Sequence, residues 1–406
     1  MVRAWRTPES LEASSFGSAE TDQRLSFSLI VPARHEEKVL GTTLEHLASM
    51  AYPDFEVLVV VGHDDPGTAD VAEMCARRHP EIFRVLVDHH EVKNKPKALN
   101  LALSECTGDV VGVFDAEDIV HPDLLNRINA RFVSTGSDIV QGGVQLMNVG
   151  TNWFSARNVL EYYFYFRSRL HYFAHRKFIP LGGNTIFVQR RLLLEAQGWD
   201  EECLAEDCEL GVRLSSNGAV ATVAYDPEVV TREETPATFG AFVKQRTRWN
   251  QGFLQVLRKG EWRALPGRGQ RVLARYTLLM PFFQAFTAIA VPVSAVFVFV
   301  VKVPEAIAMI TFLPGIVLVV TLCLELAGLK DFCAVYQIEA RTRDYLRVAL
   351  GTFPFQWTLA AAAVRAVGRE LRGNHGWEKT EHVGNHTIPN RVDVVVDADH
   401  RTEVFA

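Results

Sequence analysis

Three short segments of this 406-residue chain place carboxylates directly behind an apolar run. They are Pro32-Ala33-Arg34-His35-Glu36-Glu37, His63-Asp64-Asp65-Pro66-Gly67-Thr68 and Asp115-Ala116-Glu117-Asp118. Two acids at i and i+2, leaving a strand for a loop, can aim their oxygens at one hard cation. Mg2+ or Mn2+ takes such ligands, typically with phosphates completing the shell. A single acidic strand end is an ordinary turn former; three on successive strand ends of one sheet favour a binding site. No GxGxxG loop follows the first apolar run, which counts against a dinucleotide-dependent dehydrogenase.

The elements that must carry these groups can be read from the spacing. Phe27–Val31, Glu56–Val61, Arg84–Val87 and Asp109–Phe114 have the character of strands, and Val39–Met50, Ala69–Arg78 and Lys97–Glu105 that of helices. Short apolar runs alternating with helices predict parallel βαβ units. Ligands of such sheets bind beyond the carboxyl ends of the strands, here just after Val31, Val61, Val87 and Phe114. Between the carboxylates and the C-terminal half lies Trp153–Phe178, dense in Phe, Tyr and Arg (Tyr162, Tyr163, Phe164, Tyr165, Phe166, Arg167, Arg169, Tyr172). Such a segment suits a headgroup interface or a place packed on the sheet.

Composition narrows the partners. The formal net charge of -6 argues against a nucleic-acid face. Six scattered cysteines with no CxxC spacing are expected to be reduced and to hold no metal. Residues 1–26 form a polar tail without the apolar core of a signal peptide, and residues 373–406 a second polar tail.

From Tyr276 to Val301 no charge appears, and after Lys302–Glu305 a second uncharged run extends from Ala306 to Leu324. Each meets the roughly 20 apolar residues a spanning helix needs, so helices are expected at about 276–301 and 306–326. Basic residues flank the pair on both sides (Arg268, Arg271 and Arg275 before; Lys330, Arg341 and Arg343 after), which puts both ends in the cytoplasm. A third stretch, about 346–366, is broken by Gly351 and Pro354. It reads as an interfacial or re-entrant helix, or as a crossing with a weak charge signal. The domain plan is thus a catalytic unit over 27–272 and a membrane region over 273–372. A multi-pass protein of the plasma membrane with a cytoplasmic catalytic domain follows.

In this order the motifs resemble glycosyltransferase family 2, the GT-A group that includes cellulose, chitin and hyaluronan synthases. Pro32-Ala33-Arg34-His35-Glu36-Glu37 is similar to its opening PAYNEE element. Asp64-Asp65 resembles its nucleotide-binding acid pair, with Pro66-Gly67 where Gly-Ser is usual. Lys95-Pro96-Lys97-Ala98-Leu99-Asn100 resembles a helix start, and Asp115-Ala116-Glu117 stands at the DXD position with Glu for the second Asp. Pro180-Leu181-Gly182-Gly183-Asn184 resembles the acceptor-side loop. Glu206-Asp207 resembles TED, with Ala205 for Thr, and Gln245-Arg246-Thr247-Arg248-Trp249 is an intact QxxRW.

The resemblance implies an α/β GT-A fold, a mostly parallel, doubly wound sheet with transmembrane helices after it. It implies an inverting transfer of a sugar from a UDP- or GDP-linked donor to a growing polysaccharide at the membrane, with a lipid acceptor as the alternative. Pro32, Ala33, Glu36, Asp64, Asp65, Lys95, Lys97, Asp115, Gln245 and Arg248 would bind the nucleotide sugar. Asp115 and Glu117 would hold Mg2+ or Mn2+, with Asp118 a substitute for Glu117. Gly183, Asn184, Glu206 and Trp249 would meet the acceptor, and Asp207 would be the general base. No span precedes the catalytic domain, so polymer export by the same chain is not expected. A nucleotide-sugar-binding scaffold without turnover is a rival from another class. A transporter is disfavoured because the uncharged spans offer no ionisable site.

Overall fold

The computed structural model describes residues 23–301 and 313–378. The predicted alternation is present: β1 (Phe27–Ala33), α1 (Leu40–Ala48), β2 (Phe55–Gly62), α2 (Pro66–Arg78), β3 (Phe83–Asp88), α3 (Lys95–Leu103) and β4 (Val110–Val113) follow in order. β4 is buried throughout and β1 nearly so, as befits strands covered on both faces. Alternate side chains feed two cores. Leu29 and Val31 meet Leu40 and Leu44 of α1 and Leu125 of α4 (Leu124–Thr135). Ile30 faces the other way, with Ala98 and Leu99 of α3.

The remaining strands are β5 (Ile139–Gly142), β6 (Val144–Leu146), β7 (Ile186–Gln189), β8 (Ala221–Ala224) and β9 (Thr231–Glu233). The main sheet runs β3-β2-β1-β4-β7-β5-β8, with β6 and β9 in a small separate sheet. β7 is antiparallel to β4 and β5, and the other pairings are parallel. The antiparallel strand matters for the site. It delivers the Pro180–Asn184 loop to the end of β4, where the Thr185 N–H donates to the Val113 carbonyl at 2.8 Å. This is an α/β, GT-A-like arrangement with helices on both faces of the sheet.

The aromatic segment takes the packed alternative. It forms α5 (Ser155–Phe164), a π turn (Tyr165–Arg169) and α6 (Leu170–His175), with Tyr163, Phe164, Phe166, Leu170 and Phe173 in the core. After the short α7 (Arg190–Glu195) come α8 (Glu206–Ser216), α9 (Phe239–Lys259), α10 (Arg268–Val301), α11 (Leu313–Val335), α12 (Thr342–Leu350) and α13 (Thr352–Leu371).

The expected pair of spans is described only in part. Among the described residues one helix, over Arg268–Val298, is long and apolar enough to cross a bilayer. The Lys302–Glu305 turn and the start of the second run lie outside the described residues. The described part of that run, α11, continues past Leu324 into the catalytic domain. Glu325 pairs with the buried Arg157 at 2.7 Å. Asp331 accepts from Tyr163 at 2.8 Å and pairs with Arg167 at 2.7 Å. The charges that end the apolar run are therefore partners of the aromatic segment. The third stretch, α13, lies along α9. Near its start Phe355 packs on Phe154 and Phe242, and near its end the Arg369 guanidinium donates to Gln251 at 2.9 Å. Its other flank meets α10, Ala360 and Ala363 against Ala285 and Ala288.

Candidate active site

One cavity of about 840 Å3 opens beyond the carboxyl ends of β1 and β4. It brings together Pro32, Ala33, Glu36, Lys95, Asp115, Glu117, Gly183, Asn184, Glu206, Asp207, Gln245, Arg248 and Trp249 from six stretches of chain. Asp64, Asp65 and Lys97 are not in its wall. Asp65 is spent on structure: it caps α2 through the Thr68 N–H at 3.3 Å and accepts from the His35 N–H. That bond holds His35 in the left-handed region (φ 53°) and turns the β1 loop. Asp64 is half-exposed between Arg34 at 3.1 Å and Lys93 at 3.3 Å. The Lys97 ammonium donates to the Val92 carbonyl at 3.0 Å. Gly62, Asp88 and Lys93 line the wall where the Asp64-Asp65 pair was expected.

Asp115 leaves β4 into the cavity, and its carboxylate accepts from the Lys95 ammonium, which also donates to the Gly183 carbonyl at 2.7 Å. Burial works against the charge on Lys95, but Asp115, Glu206 and Asp207 outweigh it and raise its pKa. Asp118 turns away from the cavity. It accepts the Asp115 N–H at 2.8 Å and the Asn184 amide at 2.7 Å, and burial, then Glu233, raises its pKa. Its oxygens brace the loop, so it is no substitute for Glu117. Asn184 also donates to Glu233, so its side-chain nitrogen ties two loops together under the cavity.

Glu206 and Asp207 occupy the first turn of α8, where the helix dipole favours anions. The N-cap position is Ala205. Burial, then the neighbouring Asp207 charge, pushes Glu206 up to about 7. Burial likewise raises Asp207, against the pull of the Cys208 backbone N–H, Lys95 and Arg248. Gly183 lies against this pair: a Cβ there would stand 3.1 Å from an Asp207 carboxylate oxygen, a tight contact.

The QxxRW residues sit on α9. Arg246 bonds Asn158 and Glu161 on α5 and stacks 4.7 Å from the Trp249 ring centre, fixing the indole. Gln245 Oε1 and Arg248 Nε are buried without a hydrogen-bond partner, free capacity that a polar ligand can satisfy. Trp377, in a segment expected to be a polar tail, lies 4.4 Å from the Arg248 guanidinium and lines the cavity. Its segment is held by Glu378, paired with Arg365 at 2.6 Å and Arg369 at 2.9 Å. A tryptophan followed by an acid was the one available signal, and it points nowhere until the fold places it.

α9 rests so closely on the loop before Glu206 that a Cβ on Gly252 would run into Ala205 and stand 2.9 Å from the Leu204 carbonyl carbon. Gly252→Ala should therefore lower stability by about 1–3 kcal/mol through overpacking, with transfer reduced as well. A melting curve beside an activity assay checks it, and an unshifted melting temperature refutes the tight fit.

For the metal, Asp115 and Glu117 line the same cavity, and among the described residues no group of three His, Cys, Asp or Glu side chains is poised to hold an ion. Two carboxylates suit Mg2+ or Mn2+, which commonly take one or two protein oxygens and complete their shell from substrate phosphates and water.

Residues 24–252 match the family description "Glycosyltransferase like family 2". The chain belongs to glycosyltransferase family 2. It is 29% identical to a beta-monoglucosyldiacylglycerol synthase of Synechocystis sp. over 61% of this chain and 52% of that protein. It is 23% identical to the probable glycosyltransferase YdaM of Bacillus subtilis over 88% and 87%. A mannosyltransferase of Pyrobaculum calidifontis, solved with GDP-Man and Mn2+, shares the fold at TM-score 0.58 and 17% identity, covering 91% of this chain and 94% of that one. This family 2 glycosyltransferase thus spans about half the length of the Synechocystis relative and most of the Bacillus one. Its family match ends within α9, so α10 to α13 lie beyond it.

Proposed function

We propose that the chain performs inverting transfer of a sugar from a UDP- or GDP-linked donor to an acceptor hydroxyl at the membrane, either on a growing polysaccharide or on a lipid. The observation that carries this is the single cavity joining Asp115, Lys95 and Arg248 to Asp207 and Trp249. Breaking the sugar–phosphate bond leaves a nucleoside diphosphate, whose charge Lys95 and Arg248 are placed to neutralise. A divalent metal held by Asp115 and Glu117 would supply Lewis-acid stabilisation of the same leaving group. Glu36 and the β1 loop face the nucleotide side, with Gln245 available to the diphosphate. For the acceptor, Trp249 offers a stacking face, Gly183 leaves room, and Asp207 takes the hydroxyl proton.

α10 would anchor this catalytic domain. The helix is about 51 Å long at 1.5 Å per residue. Its first turns belong to the catalytic domain, with Ala274 and Leu278 in the core, and beyond them Phe286, Val293 and Val296 are exposed. A continuous apolar face of that kind suits lipid. In this reading the chain is a multi-pass protein of the plasma membrane, its catalytic domain cytoplasmic and its second crossing completed by α11.

The test is incorporation of radiolabelled sugar by the purified full chain in vesicles over a donor panel of UDP-glucose, UDP-galactose, UDP-N-acetylglucosamine and GDP-mannose. One donor should be bound and turned over. Binding without hydrolysis or transfer for every donor would support the non-catalytic scaffold instead.

A further inference from the structure

The cavity does not end at the catalytic groups. It continues to α10, where Tyr276, Thr277, Met280, Pro281 and Gln284 line it. Their spacing (i, i+1, i+4, i+5, i+8) is one face of a helix. The same cavity is lined by Phe166 and Tyr172 from the aromatic segment and by Leu359 from α13. This part of the lining is largely aromatic and aliphatic, with Thr277 and Gln284 as polar members on α10 and Arg169 and Glu325 elsewhere in the same cavity. It also reaches the exposed apolar flank of the molecule: Tyr276 is 52% exposed while lining the cavity, and Phe283, on the adjoining face of the same helix, is 53% exposed. No charged residue occurs on α10 from Tyr276 to its end.

We infer that this arm is the acceptor subsite and that it takes a neutral, hydroxyl-bearing lipid, entering sideways from the bilayer along α10. The inference rests on the glycosyl-transfer reading above and names its acceptor. Three observations point the same way. A glycan chain carries hydroxyls on every ring, and burying them along an aliphatic wall leaves them unpaired; an acyl chain has no such groups. An acceptor arriving from water needs no apolar flank at the mouth, whereas a lipid arriving from a bilayer does. The acceptor end of the arm also carries Glu206, Asp207, Glu233 and Glu234. That much carboxylate disfavours a lipid phosphate, which is already ionised and needs no base. It suits a neutral alcohol, whose proton Asp207 removes as its oxygen bonds to the anomeric carbon and the nucleoside diphosphate departs.

The test supplies the purified full chain with the donor panel and three acceptors. These are dioleoylglycerol in phosphatidylcholine vesicles, undecaprenyl phosphate in the same vesicles, and a soluble oligosaccharide. Label should move to the organic phase with dioleoylglycerol and at least tenfold less with either alternative. Met280→Trp, which fills the arm, should lower the ratio of dioleoylglycerol to dioctanoylglycerol turnover about tenfold, since the shorter chain reaches less far. Leu359→Trp on the neighbouring α13 should give the same shift and serves if the first variant melts early. Label passing mainly to the oligosaccharide or to the lipid phosphate, or donor hydrolysed with no lipid product, overturns the lipid acceptor and leaves the donor reading standing. An unchanged chain-length ratio in both variants overturns the placement of the arm. Failure to bind any donor removes the donor reading and this inference with it.

Discussion

Asp207→Asn should abolish sugar transfer while leaving donor affinity nearly intact. The attacking hydroxyl needs a base, and the asparagine amide has the shape of a carboxylate without its proton affinity. Losing a positioned base costs about 10²–10⁴ in rate, or roughly 3–5 kcal/mol of barrier. A purely structural role predicts something different. The N-cap position of α8 is Ala205, so Asp207 is not the cap, and its remaining service to the helix is a charge near the dipole. That is worth about 0.3–1 kcal/mol and is offset by the burden of a buried carboxylate, so the variant should melt close to the parent. The same environment sets the pH dependence. Burial raises both Asp207 and Glu206, the latter to about 7, so the pair keeps a proton at pH values where ordinary carboxylates have lost theirs. Transfer should fall as pH drops through this raised range, with its acid limb above that of an ordinary carboxylate. Glu206→Gln, which keeps Asp207 but removes the neighbouring charge, should move that limb downward. Single-turnover transfer, a donor isotherm and a melting curve check these outcomes together. A fully active Asp207→Asn would overturn the assignment.

The parts of this molecule visible in its sequence are those fixed by local periodicity. β1 to β4 and their helices fall within a few residues of the predicted runs because strands buried on both faces leave near-continuous apolar stretches. The acceptor loop, the α8 start and QxxRW were recognisable as a series, and the fold brings them to one cavity. Legibility fails where one residue type serves two purposes. Asp64 and Asp65 look alike in sequence, but one caps a helix from inside the fold and the other is held at the surface by Arg34 and Lys93. Asp118 is the same residue type as Asp115 and differs in being turned inward onto Asn184. The apolar character of α13 is equally that of a membrane helix and of one packed on α9. The contacts of Phe355 and Arg369, which place it along α9, are not legible in that character. Trp377 acquires a place through Arg248, which no local pattern connects to it.

The same ambiguity governs the metal. Chelation with EDTA should weaken donor binding by about 10²-fold or more, the few kcal/mol that a divalent cation contributes against a diphosphate. The resting arrangement makes this a real contest, because Lys95 already occupies the Asp115 carboxylate that the cation would use. If the cation wins, Lys95 is released toward the phosphates and both positive charges act on the leaving group. Asp115→Ala should then lose metal-dependent binding, and Glu117→Ala should lose less, since Asp115 alone can still hold the ion. Removing Asp115 also strips a buried ammonium of its partner, which destabilises in its own right. Asp115→Asn keeps a polar group against Lys95 and separates the two effects, and it should lose the metal dependence while melting later than Asp115→Ala. If Lys95 wins, donor affinity is undiminished in EDTA, and Lys95→Met rather than chelation abolishes it. Isotherms with labelled donor, with and without Mn2+, distinguish the cases directly. Undiminished affinity in EDTA would remove the metal from this site and leave Lys95 and Arg248 as the charges that stabilise the departing diphosphate.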